Sequence, residues 1–176
     1  QEGVPVLGEA HDDALGQDLA SLLPGDEGKQ ALARLKSLDV NILVIRPIRD
    51  QMQFDRKVIV VEAGKAVEIL FDNTDIMPHN LVITERGAMA EVGMAAEKMG
   101  LEGQAKDFLP DTKKILWATR MVNPGQSAKL SFTAPAQTGK YPYVCTFPGH
   151  WLVMNGVMHV VEKGQAGSVA VDAPAE

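Results

Sequence analysis

Between residues 40 and 163, short β-branched segments alternate with residues that favour turns. Segments such as VNILVIRPI, KVIVVEAG and SAKLSFTAP are bounded by Gly, Pro, Asp or Asn, as strands commonly are. Eight such segments predict an all-β fold, either a sandwich or a barrel. Residues 87–100 break the pattern, because Met89, Val92 and Met99 lie on one side of a predicted short helix.

The two ends of the chain differ in texture from this central region. We expect residues 1–40 to form an N-terminal extension that begins as an acidic arm rich in Gly and Asp. Its segment EGKQALARLKSL places Leu32 and Leu35 at helical spacing, which predicts a short helix there. Residues 41–163 then form the folded domain, and residues 164–176 form a small, polar and flexible tail.

The charge and hydropathy of the chain argue against two classes of partner. The 176 residues carry a net charge of -6, whereas nucleic-acid binding requires a basic patch to contact phosphates. No apolar run approaches the roughly 20 residues of a membrane-spanning helix. The chain starts at QEGVPVLGEA without a basic and apolar leader, so we expect no signal peptide within it. We expect either a mature exported protein or a trimmed chain.

One cysteine, Cys145, occurs in the whole chain, within YVCTFPGHWLVMNG. His150 follows five positions later and Met154 four positions after that, across a turn that contains Pro and Gly. A further histidine, His79, opens the predicted strand HNLVIT. Two His, one Cys and a weak axial Met form the ligand set of a blue copper site, whereas zinc rarely accepts a thioether. The spacing therefore favours one copper ion.

The segment CTFPGHWLVM resembles the copper-ligand loop of azurins and the related auracyanins, which are cupredoxins of the plastocyanin/azurin family. DQMQF, GMAAEKMG, DFLPD and NPGQSAKLSF follow in azurin order, so the resemblance covers about residues 41–162. It implies a Greek-key β-sandwich with a short helical flap, which here follows an N-terminal helical extension. It also implies one-electron transfer by a type 1 copper, with His79, Cys145 and His150 as equatorial ligands and Met154 as the axial one.

The resemblance also assigns residues around the ligands. Asn80 matches an asparagine that ties the strand of His79 to the loop of Cys145. The backbone N–H groups of Asn80 and Phe147 are then expected to donate hydrogen bonds to the thiolate, which tunes the metal and orients the ligand. Pro78 stands where azurin has a glycine whose carbonyl oxygen approaches copper.

Electrons are expected to pass through the ring of His150, whose edge should reach the surface. An apolar patch around it, called the docking patch below, would bind redox partner proteins briefly through a small interface. Its predicted members are Met52, Met77, Pro148, Trp151 and Leu152. The family resemblance places such a carrier in the periplasm or elsewhere outside the cytoplasm.

Two other classes of function remain to be compared with an electron carrier. Copper enzymes related to this family place a histidine beside the cysteine to reach a second copper, but Val144 and Thr146 flank Cys145 here. We therefore do not expect an enzyme. A copper carrier, or a cupredoxin module of a larger redox assembly or copper enzyme, would use the same ligands. Reversible reduction at a usable potential would separate a shuttle from a carrier.

Overall fold

The computed structural model describes residues 41–166, and most of their regular structure is β-strand. In chain order the elements are β1 (Asn41–Ile45), β2 (Pro47–Ile48), β3 (Gln53–Phe54), β4 (Val58–Glu62), β5 (Ala66–Asp72), β6 (Val82–Thr84), α1 (Met89–Glu97), a first 3-10 helix (Gly100–Lys106), β7 (Ile115–Ala118), β8 (Ser127–Thr133), β9 (Gly139–Val144), a second 3-10 helix (His150–Leu152) and β10 (Asn155–Val161). The helix predicted in residues 1–40 lies outside the described residues, as do residues 167–176 of the predicted tail.

The strands form two main sheets and a small hairpin. The three-stranded sheet has the order β1-β5-β8, the five-stranded sheet has the order β4-β10-β9-β6-β7, and β2 pairs with β3. β1 is parallel to β5 and β4 is parallel to β10, whereas the other pairs are antiparallel. The chain changes sheet between β4 and β5, between β5 and β6, and again on each side of β8. These crossings place the two sheets on opposite sides of one core.

The core follows from the alternation of apolar residues along the strands. Val67, Ile69 and Phe71 of β5 are buried, while the residues between them are partly exposed. They belong to one apolar cluster with Tyr143 of β9 and Met158 of β10, which come from the other sheet. Burying such faces is the main favourable term in folding, at about 25 cal/mol per Å² of apolar surface. The predicted mostly-β fold with a short helix is therefore confirmed.

Helix α1 covers the other face of the five-stranded sheet. Val92 of α1 packs with Val82 of β6 and Val144 of β9 in a second, smaller apolar cluster. Gly93 lets the helix approach the indole of Trp151, because a Cβ at this position would lie 2.3 Å from a ring carbon. The helix has nine residues, and no helix in residues 41–166 is long and apolar enough to cross a membrane.

Some predicted element boundaries differ from the structure. The strand predicted over VNILVIRPI breaks at Arg46, whose backbone N–H and C=O both bond to Asp55 at 2.8 Å. These bonds turn the chain away from β1 and start the β2–β3 hairpin. The helix predicted over residues 87–100 is shorter, because Gly87 and Gly100 adopt φ of 72° and 55° and interrupt helical geometry.

Candidate metal centre

Two histidines and the single cysteine meet where β9 ends and the segment before β6 begins. Val82 of β6 lies opposite Val144 of β9, and this register brings His79 beside Cys145. The Cys145 Sγ atom lies 3.7 Å from Nδ1 of His79 and 3.6 Å from Nδ1 of His150. The three donor atoms all lie within 4.8 Å of one another. Because metal bonds to these atoms are about 2.0–2.3 Å long, one ion can contact all three.

The loop from residue 145 to residue 154 is closed by its own backbone. Cys145 N–H donates to the carbonyl of Met154 at 3.0 Å, and Met154 N–H donates to the carbonyl of His150 at 2.7 Å. His150 N–H donates to Phe147 at 2.9 Å across a turn in which Gly149 adopts φ of 81°. Met154 is fully buried in the same apolar cluster as Cys145. Cys145 and Met154 each lie one residue outside a strand, because β9 ends at position 144 and β10 starts at 155.

The segment that carries His79 is held by other parts of the chain. His79 exchanges two backbone hydrogen bonds with Val122, at 3.1 and 2.8 Å, in an isolated bridge. The buried amide of Asn73 donates to the carbonyls of Met77 and Val122, each at 2.8 Å. His79 was predicted to open a strand, but β6 starts three residues later. The hydrogen bonds with Val122 hold the backbone of His79 in an isolated bridge that is separate from β6.

Asp75 is a contact of the site that sequence reasoning missed. Its Oδ2 lies 2.8 Å from Nε2 of His79, and both side chains are buried. An acidic residue four positions before a histidine is a common arrangement without any metal, so the pattern gave no signal. Only the fold of the intervening turn brings the carboxylate onto the ring.

Burial sets the protonation of the thiol in the folded chain. It raises the pKa of Cys145 to about 11, while hydrogen bonds from the backbone N–H groups of Asn80 and Phe147 act in the opposite direction. These two donors are the ones that the family resemblance assigned to the sulfur. A bound metal ion deprotonates a coordinating thiol, because the cation favours the thiolate.

Both imidazoles are neutral at pH 7. Burial, helped by the neighbouring His79, lowers the pKa of His150 to about 4, although the charge of Asp75 acts in the opposite direction. Burial also lowers the pKa of His79, although its hydrogen bond to Asp75 opposes the shift. A neutral ring has one nitrogen lone pair, and this lone pair is what a metal ion requires.

Asn80 joins the two ligand-bearing segments. Its Oδ1 accepts a hydrogen bond from the Thr146 backbone at 2.8 Å, and its Nδ2 donates to the Thr146 hydroxyl at 2.7 Å and to the Asp107 carbonyl at 3.0 Å. Pro78, half-buried, directly precedes His79 and lines a surface pocket together with Phe147. The environment of the ligands is therefore built from both segments at once.

The five residues predicted for the docking patch differ in exposure. Met52 and Leu152 are 42% and 62% exposed, Pro148 is exposed, and Met77 and Trp151 are half-buried. The indole of Trp151 packs against Gly93, and its N–H donates to Glu97 at 2.9 Å. Trp151 thus anchors the ligand loop to α1, and this contact buries much of its surface.

Two exposed apolar side chains beside the ligands were not predicted. Ile76, next to Met77, is 58% exposed, and Val153, next to Leu152, is 48% exposed. Their sequence neighbours were named in the docking patch, but an apolar residue in a loop gives no sign of whether it points to solvent. Exposure depends on the direction of each side chain, which the tertiary structure decides.

Comparison with known proteins places this fold and site among copper proteins. Residues 43–161 match the family described as copper binding proteins, plastocyanin/azurin family. Auracyanin-A of Chloroflexus aurantiacus is 34% identical over 113 residues, which cover 63% of this chain and 68% of that protein. Outer membrane protein H.8 of Neisseria meningitidis serogroup B is 35% identical over 121 residues, or 64% of each chain. The chain thus spans about two thirds of the length of these relatives.

A solved structure agrees with the sequence comparison. The dithionite-reduced auracyanin of Roseiflexus castenholzii superposes with a TM-score of 0.63 at 34% identity, covering 69% of this chain and 97% of that one. The chain belongs to the plastocyanin/azurin family of copper-binding proteins. Its thiol, two imidazoles and buried thioether are the donor set of a single type 1 copper site. The predictions of a copper cofactor and of a blue copper electron carrier rather than an enzyme are confirmed at the level of the family.

Proposed function

We propose that this chain carries single electrons between redox proteins outside the cytoplasm. The main support is the buried set of one thiol and two imidazoles whose donor atoms lie within 4.8 Å of one another. Met154, fully buried beside Cys145, adds the weak thioether. When bound here, copper would supply a Cu(I)/Cu(II) couple, and the protein would have only to hold the donors and admit a partner.

Hydrogen bonds in both ligand-bearing segments keep the donors in one arrangement. Backbone hydrogen bonds close the loop of residues 145–154, and the amide of Asn73 fixes the segment before His79. Asn80 then links both segments through Thr146. Ligands held in this way need to move little between oxidation states, and a small rearrangement favours rapid electron transfer.

The electron would enter and leave along His150. This residue keeps 4% exposure, whereas His79, Cys145 and Met154 have none. Pro148 and Leu152, on either side of it in sequence, are exposed. The ring of His150 therefore gives the shortest route between the metal position and solvent.

Around this route we place the docking patch of Met52, Met77, Pro148, Trp151 and Leu152, extended by Ile76 and Val153. An apolar patch of this kind suits a small, short-lived interface with a redox partner. The net charge of -6 would act over longer distances, by steering basic partners towards the surface.

The wider organisation of the chain is part of the same proposal. Residues 41–163 would form a Greek-key copper domain, residues 1–40 an extension with a short helix, and residues 164–176 a flexible tail. The extension would give the domain a tether or a docking arm. A periplasmic or other extracytoplasmic location is supported by the name of the relative outer membrane protein H.8.

A visible absorption spectrum of the copper-loaded protein tests the function. We expect an intense blue or green colour from charge transfer between the Cys145 thiolate and Cu(II). Cys145→Ser should abolish this band, and circular dichroism of both proteins controls for folding. A colourless wild-type protein that has bound one copper ion would refute a type 1 site.

Voltammetry separates the electron carrier from the alternative of a copper carrier. A shuttle should be reduced and reoxidised reversibly without losing its metal. Release of copper on each reduction would instead favour a copper carrier.

A further inference from the structure

The carboxylate of Asp75 is surrounded by hydrogen-bond donors. Its Oδ2 lies 2.8 Å from Nε2 of His79, and its Oδ1 accepts from the backbone N–H groups of Asp50 at 3.1 Å and of Ile76 at 2.7 Å. Its own N–H donates to Oδ1 of Asn73 at 3.0 Å. The residue is 4% exposed, so its orientation is fixed within the protein.

These contacts decide which nitrogen of His79 carries the proton. An ionised carboxylate only accepts hydrogen bonds, so Nε2 of His79 must donate to Asp75. The lone pair of the neutral ring is then on Nδ1, which is the atom that lies 3.7 Å from Sγ of Cys145. The carboxylate therefore selects the tautomer that points a lone pair at the metal position.

The ring of His150 has no carboxylate of this kind behind it in the described part of the chain. Within residues 41–166, no acidic side chain hydrogen-bonds to His150, whose Nδ1 contacts Sγ of Cys145 at 3.6 Å. The two histidines thus contact the same sulfur but differ in what lies behind the ring. Behind His79 is a buried negative charge, and a negative charge near a metal favours its more positive oxidation state.

We propose that Asp75 is a positioning residue that fixes the ring of His79 and, through its buried charge, lowers the reduction potential of the site. This proposal rests on the proposed function for its effect on potential, but its effect on the tautomer does not require copper. The charge acts through the ring of His79, and the Asp50 N–H that helps to hold it comes from the β2–β3 turn that also carries the exposed Met52. The turn at the docking patch and the buried ligand are therefore linked by one carboxylate.

Asp75→Asn tests the charge while keeping the size of the side chain. It removes the negative charge and presents an NH₂ group where only acceptors fit, since both backbone partners of Oδ1 and the His79 partner of Oδ2 are donors. We expect the visible band to persist and the ratio of Cu(I) to Cu(II) affinity to rise about tenfold, which is about 59 mV in potential for a one-electron couple.

Asp50→Asn is the matched control. It removes the same charge from the neighbouring β2–β3 turn, but the Asp50 side chain is exposed and only its backbone N–H contacts Asp75. Asp50 has φ of 60°, a conformation that Asn adopts readily. We expect less than a third of the shift seen for Asp75→Asn. Equal potentials in the two variants would overturn the role of the Asp75 charge.

NMR of the full copper-free chain tests the positioning role, and this test does not depend on whether the Asp75→Asn variant folds. Nitrogen-15 NMR at pH 7 should find the His79 proton on Nε2, protected from exchange with solvent. A His79 ring protonated on Nδ1, or an Nε2 proton that exchanges freely, would refute the assignment. This readout stands even if the copper protein proves colourless, so failure of the proposed function and failure of this inference give different results.

Discussion

The two segments that supply the ligands are stabilised in opposite ways. The loop of residues 145–154 carries three ligands and closes on itself through backbone hydrogen bonds between its two ends. The segment of residues 73–80 carries one ligand and is held by buried polar side chains and by Val122. The first arrangement is local in sequence, whereas the second depends on residues from distant parts of the chain.

This difference has an energetic consequence. Each buried polar group of the 73–80 segment is satisfied by a specific partner, and loss of one partner leaves the other unpaired in a medium without water. The 145–154 loop instead relies on its turn, on apolar burial of Met154 and on contact between Trp151 and α1. We expect single side-chain deletions to be more damaging in the 73–80 segment than in the 145–154 loop.

The largest effect on stability should come from Asn73→Ala. This change removes the hydrogen-bond partner of the Met77 carbonyl and of the Asp75 N–H, which the Asn73 side chain bonds directly. At about 1–3 kcal/mol for each buried unpaired group, we expect a loss of about 3 kcal/mol in the free energy of unfolding. Urea denaturation of the copper-free protein measures it.

Asn155→Ala is the matched control for that variant. Asn155 also donates its amide to a backbone carbonyl, that of Trp151 at 3.1 Å, but it is only half-buried and stands at the end of the loop. It should lose about 1 kcal/mol. Similar losses for the two asparagines would remove the contrast between the segments.

Gly93→Ala should have the next largest effect, because it attacks the tertiary support of the loop. The new Cβ would overlap the ring of Trp151 and push the indole away from α1. Overpacking of this kind costs about 1–3 kcal/mol. In a Trp151→Leu background the same change should cost much less stability. Thermal or urea unfolding of the wild type, the two single variants and the double variant completes this double-mutant cycle. An unchanged cost in that background would mean that the contact with Trp151 is not what requires glycine.

Leu152→Asp should impair docking without disturbing either segment. Leu152 is 62% exposed beside His150, and a partner would have to bury the new carboxylate without a counter-charge. We expect electron exchange to slow by at least tenfold, or about 1.4 kcal/mol in the barrier, with an unchanged visible band. Leu101→Asp, at a fully exposed leucine of the first 3-10 helix, is the control. If the two variants exchange electrons equally fast, the electron leaves by another face.

Mild acid should also reduce the stability of the copper-free protein. The pKa of His150 is lowered from 6.5 to about 4, mainly by burial, so below pH 6.5 the unfolded chain takes up a proton that the folded chain does not. Stability from this residue is therefore complete above pH 6.5 and decreases as the pH falls towards 4. His150→Asn should flatten this part of the profile. A wild-type profile with the same slope as the variant would contradict the shift.

Residue spacing alone predicted the site only where it is local, whereas the distant His79 and Asn80 were assigned with the help of the family resemblance. Cys145, His150 and Met154 lie within ten residues, and a tight turn can bring them together without any knowledge of the fold. Asp75 could not be predicted, because its contact with His79 requires the turn between them and the N–H of Asp50 from another hairpin. Exposure of Ile76 and anchoring of Trp151 on Gly93 were missed for the same reason.

The sequence by itself determined the class of fold and the donor chemistry of the site, because strand periodicity and the identity of ligand atoms are local properties. Short β-branched segments between turn residues predicted an all-β sandwich or barrel, and the set of Cys, His and Met donors predicted copper. The tertiary structure alone decided that the Asp75 carboxylate lies behind His79. The hydrogen bond from Asn80 to Thr146, 66 residues apart, forms only when β6 and β9 pair, so it depends on register, and the family resemblance rather than any short pattern of residues predicted that Asn80 links the two segments.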